Sequence, residues 1–532
     1  MAANPGKSDS GLSKAEKMEK IVALCRRRGF IFQSSEIYGG IGGFWDYGPL
    51  GTELKRNVKD AWWHDMVRNP PVGPNGKDFQ MVGVDCSIIM NPKVWEASGH
   101  VGGFSDPMCD CKLCKGRFRE DQVAEGVEAS DWYKQVKDAF DSSKAPAFEK
   151  LKSWAKKKGT KQAAGLPLVT QTDAVIAALA GEGDGVDFAT ATKHIFVDGA
   201  NSGLNKTCPT CGGELTEPRE FNLMLQTNIG ALQDSSSIAY LRPETAQGIF
   251  ANFKNVIDSS RVKLPLGIAQ IGKSFRNEIN PRNFTFRSRE FEQYEIEFFC
   301  HPSEADEWYT FWRDVRHNWY VGLGLKSEML VLREHEGNEL AHYAKGCADV
   351  EYDFPFGVSE LEGIANRTDY DLKAHIGKSG KDLSYFDDQR KERFVPYVIE
   401  PSGGVDRSVL AFITEAYTVD ENRASPEFMR FHPRLAPIKA AVFPLVAKDG
   451  MPELAEPIYN ELRKHYPCQY DIKQAIGKRY ARMDEAGTPF CFTVDGQTKE
   501  DGTVTVRNRD DASQQRIDKS RCGEYLRDQL QA

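Results

Sequence analysis

The chain has 532 residues, 40% of them hydrophobic, with a formal net charge of −8 and twelve cysteines. That length exceeds one ordinary core, so two or three domains are expected. No run of about 18 apolar residues appears and the N-terminus lacks an apolar signal core, so neither a membrane span nor a secretory signal is expected, and the cytoplasm is the default location. The cysteines are too sparse for a disulfide scaffold. The negative net charge gives no global pull toward nucleic acid, although a local basic surface can still bind phosphate.

In chain order, the first dozen residues read as disordered. Ser13 and Glu16 then form a capping-box pattern that opens a helix carrying Ile21, Val22 and Leu24 and closing at Gly29. SSEIYGGIGGFWDYGPLG follows, whose glycines and Pro49 prescribe tight turns, and then a helical ELKRNVKDAWWHDMV. Residues 115–207 read as a lysine- and alanine-rich insertion between two cysteine pairs, with helical stretches at APAFEKLKSWAKKK and TDAVIAALA. Mixed strands, turns and helices continue to Phe431, an α+β pattern with largely antiparallel strands. From residue 434 strands alternate with helices (IKAAVFPLV, MPELAEPIYNELRKHY, PFCFTVD, TVTVRNR, and a last helix from near Asp511 to Leu530), so residues 434–532 are expected to form a small α/β domain. Its Lys478, Arg479, Arg482, Arg507 and Arg509 read as a solvated surface or a basic cluster.

Three places carry chemistry. IAQIGKSFRNEINPRNFTFRSREFEQYEIEFF, beginning at Ile268, sets an arginine-rich turn between two strand-like segments. Strand alternation puts Arg289, Phe291, Gln293, Glu295 and Glu297 on one face and Tyr294, Ile296 and Phe298 on the other, while Arg276 and Glu278 share a face in the first half. A guanidinium, a ring and carboxylates two residues apart suit a nucleotide and an amine better than water. Cys111, Cys114, Cys208 and Cys211 form two C-x-x-C pairs, the thiolate set of a tetrahedral structural zinc; Cys109 could replace Cys111 or stay free, and the alternative is a set of unmetallated thiols. Finally, VIEPSGGVDRSVLAFI joins a strand to a helix through Glu400, Ser402 and two glycines, with Arg407 in the first turns of the helix, an arrangement that favours an anion but is also common as plain structure.

FRNE at Phe275, the later REFEQ and the Glu400 to Arg407 junction resemble the second and third signature motifs of class II aminoacyl-tRNA synthetases. The chain further resembles the glycyl-tRNA synthetases of the homodimeric type, through YGGIGGFWDYGPLG, MNPKVWEASGHVGGFSDP, RPETAQGIF, SELEGIANRTDYDL, GTPFCFTVD and EDGTVTVRNRD. The likeness covers nearly everything from residue 15 to 530 apart from the insertion. It implies a class II catalytic domain over residues 13–433, with a zinc-knuckle and helical insertion, and an anticodon-binding domain over 434–532. It implies a homodimer that acts on glycine, ATP with Mg²⁺, and tRNA. Carried over residue by residue, Arg276 meets the α-phosphate, Arg407 the terminal phosphate, and Phe291 stacks on adenine. Asn277, Glu278, Phe286, Arg289, Leu361 and Gly404 complete the ATP site, and Glu360 meets Mg²⁺. Arg119, Glu244, Glu295, Glu400 and Ser402 surround glycine.

Overall fold

The computed structural model describes residues 12–131, 133–134, 206–231, 234, 237–337, 340, 344–423 and 425–531. The first eleven residues and the two helical stretches expected in the insertion lie outside them. Two compact units are formed, one from Met1–Ser98 with Met224–Ala532 and one from Gly99–Leu223, so the cysteine pairs sit in a unit wider than the expected insertion. No helix among the described residues is long and apolar enough to cross a membrane.

The first unit is built on a seven-stranded sheet in the order Leu330–Glu334, Gly346–Phe354, Gly357–Thr368, Tyr397–Gly404, Glu290–Cys300, Leu266–Phe275 and Gln80–Gly83. Every pairing is antiparallel except the last, where Gln80–Gly83 runs parallel to its neighbour. Its apolar face is covered by helices Pro49–Trp63, Ala305–Gly322 and Val405–Ala416, which contribute Trp62, Trp308, Trp312 and Leu410 to the main core, all fully buried. The alternation expected for Glu290–Cys300 is present: Tyr294, Ile296 and Phe298 enter that core. Ser13 caps helix Lys14–Arg28 in a capping box with Glu16, and Gly29 ends it at φ 76°.

One buried ion pair ties helix to sheet. Arg316 donates to Glu362 at 2.6 and 3.0 Å, both side chains sealed from water, with Tyr320 donating to the same carboxylate at 2.9 Å. Such a pair survives burial only because both charges are matched and hydrogen-bonded.

The C-terminal residues carry their own sheet and core within the first unit. The strand order is Cys468–Tyr470, Ala440–Pro444, Phe490–Val494, Thr503–Asn508 and Gln514–Asp518, the first three parallel and the rest antiparallel. The last expected helix starts later than its pattern suggested: a strand occupies Gln514–Asp518 and the helix is Cys522–Gln531. Three of the five basic residues also differ from expectation, while Lys478 is exposed and Arg482 half-buried. Arg479, Arg507 and Arg509 are buried, so they form neither a solvated surface nor an exposed cluster.

Among the described residues, the second unit holds a three-stranded sheet, Arg117–Arg119, Ser105–Asp110 and Arg219–Asn222, with helix Glu120–Ala129. Its cysteine pairs lie in the turn after Asp110 and in the turn before the last strand.

Candidate active site

Strand Glu290–Cys300 lies between Leu266–Phe275 and Tyr397–Gly404, with Glu295 paired across to Gln270 on one side and Ser402 on the other. Its polar face floors a cleft of about 290 Å³, which Phe291 and Gln293 line while Glu295 and Glu297 lie sealed beneath. Arg276 and Glu278 also line the cleft, but not by strand alternation. The strand ends at Phe275, after which the Arg276 N–H donates to the Arg289 carbonyl at 2.9 Å and the Glu278 N–H to the Arg276 carbonyl at 2.7 Å. The Arg276 guanidinium donates to the Pro243 carbonyl at 3.1 Å and lies 5.4 Å from the Phe291 ring centroid.

The opposite wall comes from the glycine-rich junction. A Cβ at Gly403 would overlap the Tyr294 ring, so only glycine lets the two strands pair there. Gly404 is the N-cap of helix Val405–Ala416, which places Arg407 in the first turns. Arg407 donates to the Phe286 and Glu360 carbonyls at 3.3 and 3.2 Å, pairs with the Glu360 carboxylate at 3.4 Å, and stands 4.5 Å over the Phe286 ring. Arg276, Arg407, Phe286, Phe291, Glu278, Glu360 and Gly404 therefore line one cavity, together with Glu400 and Ser402 at its acidic end.

At that acidic end charge is concentrated. Arg367 donates to Glu400 at 2.8 and 3.0 Å and to Asp371 at 2.7 and 2.9 Å. Glu295 accepts a short hydrogen bond from the Thr245 hydroxyl. Burial first, then the nearby Glu400 and Glu244 carboxylates, push Glu295 up to about 8. Burial likewise raises Glu400, against the pull of Arg367. Glu244 accepts from Gln247 at 3.0 Å and acts on this cluster electrostatically without lining the cleft. Several carboxyl groups crowded here, balanced by Arg367 alone among the contacts above, make the pocket receptive to one further small cation, whose arrival favours the ionised form of Glu295.

Other expected site residues lie elsewhere. Arg289 does not line the cleft: its guanidinium donates to the carbonyls of Glu278 at 2.7 Å and Gly42 at 2.8 Å, bracing the turn behind Arg276. Leu361 is fully buried in the core and Asn277 is half-buried, and neither lines the cavity. Arg119 belongs to the second unit, where it pairs with Asp121 at 2.6 Å and Asp106 at 3.6 Å. Conversely, Arg287, His335 and Asp349 line the cleft without having been singled out. The two-residue spacing of Arg287 from Arg289 was a readable signal; nothing local marked His335 or Asp349.

Two groups bear on metals. The Sγ atoms of Cys111, Cys114, Cys208 and Cys211 lie within 4.8 Å of one another, with Cys111 to Cys211 at 3.5 Å and Cys114 to Cys208 at 3.6 Å. Thiolates about 2.3 Å from a tetrahedral zinc stand roughly 3.8 Å apart, so the set fits that ion. Cys109 is buried outside this cluster. In the cleft, Glu360 and Asp349 flank Gly363, each with an oxygen within 4.0 Å of where its Cβ would be, so both carboxylates stand on the same part of the wall. Asp349 also accepts from His335 at 2.7 Å and from Arg333 at 3.1 Å, and this guanidinium already balances the carboxylate on the His335 side.

Known proteins resemble the whole chain. The anticodon binding domain family matches residues 439–529. A glycine–tRNA ligase of Rhodopirellula baltica is 52% identical over 541 aligned positions, covering 94% of this chain and 97% of that one. Another from Ruminiclostridium cellulolyticum is 48% identical over 509, covering 94% and 96%, and one from Alkaliphilus oremlandii is 45% identical over 522, covering 98% and 100%.

Proposed function

The chain belongs to the glycine–tRNA ligase family, and from that premise we propose that its cleft is where glycine and ATP are joined before glycine passes to tRNA. The observation that carries this reading is the meeting, in one cavity, of two arginines set against aromatic rings with an acidic pocket at the other end. The catalytic fold is read as class II, which the antiparallel sheet supports.

In the first step a glycine carboxylate oxygen attacks the α-phosphorus, a new O–P bond forms, and the bond to the β-phosphate bridging oxygen breaks as pyrophosphate leaves. Two anions must approach, so cationic clamps matter more than a proton-transfer base. Arg276 serves the α-phosphate and Arg407 the terminal phosphate, since a guanidinium fork matches phosphate oxygens. Phe291 and Phe286 give apolar surfaces for the base, and Glu278, with Arg287 at 3.5 Å from its carboxylate, finishes the nucleotide side. Mg²⁺ held by Glu360 and Asp349 would supply charge neutralisation at the phosphates. Glu295 and Glu400, helped by Glu244 and Ser402, accept from the glycine ammonium and aim its carboxylate at ATP. In the second step a ribose hydroxyl at the tRNA 3′ end attacks the glycyl carbonyl and AMP leaves.

Selection of glycine must be by exclusion, because a spare methylene discriminates by only about 1 to 3 kcal/mol. A structural zinc on the four cysteines and a homodimer belong to this reading; the exposed Ile37 and Tyr38 give an apolar patch consistent with a partner surface. The test is amino-acid-dependent exchange of pyrophosphate with ATP. Glycine should support it best, and faster exchange with serine, threonine, proline or alanine would refute the pocket assignment.

A further inference from the structure

Beneath the acidic end of the cleft lies a side chain the chemistry above does not use. Glu297 is fully buried two residues beyond Glu295 on the same face of its strand, and its carboxyl oxygens have no hydrogen-bond partner among the described residues. One of them lies within 4.8 Å of carboxyl oxygens of both Glu295 and Glu400. Gln270, paired across from Glu295, is also fully buried with both amide atoms unpartnered. Neither side chain lines the cleft itself.

Each unpartnered buried polar group costs about 1 to 3 kcal/mol, and methionine or leucine would fill the same space without that cost. A lone ionised carboxylate would cost far more. Burial, then Glu400 and Glu295, hold Glu297 well above the usual carboxylate range despite the counter-pull of Arg367, and Asp371 adds to the rise. Full burial beside two other acids favours its neutral form, and a neutral acid owns one O–H donor. The acceptors grouped with it are the carboxyl groups of Glu295, sealed just beneath the cleft, and Glu400, which lines it.

Resting on the reading of Glu295 and Glu400 as the ammonium site, we infer that Glu297 is a positioning residue: its hydroxyl is directed at these carboxylates from below and fixes their free lone pairs toward the glycine nitrogen. It adds polarity without a further negative charge, which three neighbouring acids could not accommodate together.

The test compares Glu297→Met, which keeps volume and removes the donor, with Glu297→Gln, which keeps a neutral donor. In Glu297→Met the glycine KM should rise about tenfold while the ATP KM stays within about twofold and the melting temperature is kept or raised. Glu297→Gln should return the glycine KM to within about threefold of the parent. A parental glycine KM in Glu297→Met, or equal damage in both variants, overturns the inference. Should the methionine variant fail to fold, infrared difference spectra at neutral pH decide: parent minus Glu297→Gln should show one protonated carboxyl component over and above that of Glu295, and identical spectra overturn it. Glu295→Gln and Glu400→Gln separate the two levels. If they raise the glycine KM and Glu297→Met does not, only this inference fails; if they leave it unchanged, the site assignment beneath it fails.

Discussion

Arg276 and Arg407 in the cleft, and Arg479, Arg507 and Arg509 in the C-terminal sheet, are all drawn out of bulk water, yet their surroundings are opposite. Arg479 donates to the carbonyls of Pro444, Asp471 and Leu445 at 2.7 to 2.9 Å, and Arg509 to those of Gly487 and Phe431, both at 2.7 Å. Arg507 forms a two-pronged pair with Asp484 at 2.8 and 2.9 Å. These guanidiniums brace loops and strand ends. Rings do not separate the two sets, since Arg479 stands 5.3 Å over Phe443 and Arg507 4.9 Å over Tyr480; the cleft arginines are less buried and line a cavity on whose far side the acids stand. Burial of a cation alone says little about function, and neither do bonds to carbonyls, which Arg276 and Arg407 make as well; what separates a ligand clamp from a brace is that the clamp also faces an open cavity.

The sharpest way to break this comparison is Arg276→Ala. Pyrophosphate exchange should fall by about 10³-fold or more while the melting temperature barely changes, because the charge serves the transition state rather than the core. A large drop in melting temperature would make Arg276 a brace as well. Arg509→Met should do the reverse, lowering stability by roughly 3 kcal/mol in denaturant titration, since it strands two carbonyls, while exchange per folded molecule is retained. Cys208→Ser tests a third kind of site and should remove about one zinc per chain by metal analysis; unchanged metal content rejects the site.

The smallest effect is the pH dependence of glycine binding. Glu295 keeps its proton up to about 8, and the ammonium requires the carboxylate, so the apparent glycine KM should fall as pH rises toward about 8 and flatten above it. The sign for stability is opposite. A carboxyl raised from its usual 4.5 contributes stability fully present below 4.5 and lost as pH rises through about 8. Glu295→Gln should abolish the KM trend and weaken the stability trend, to which the raised Glu297 and Glu400 also contribute, as paired titrations of KM and melting temperature would reveal.

Much of this contrast was legible beforehand. Period-two alternation is a local property, so the shared face of Phe291, Gln293, Glu295 and Glu297 could be read directly, as could the cap at Ser13. Depth could not. Glu295 and Glu297 look alike in sequence, and so do Arg407 and Arg509, because burial depends on what other elements lay over them. Arg289 was expected on the same strand face as Phe291, but the strand begins at Glu290, and the Arg289 guanidinium donates to the Glu278 and Gly42 carbonyls. His335 and Asp349 come together with Glu360 only through the register of neighbouring strands, which no local pattern encodes.

The two cysteine pairs draw together points of the chain nearly a hundred residues apart, Cys114 and Cys208 meeting at 3.6 Å. With such a neck held shut, the entropy of closing the segment between grows only as the logarithm of its length, each doubling adding about 0.6 kcal/mol. That makes the neck a natural splice point, where a foreign domain could be carried in place of the existing segment with little strain passed to the sheet it leaves from.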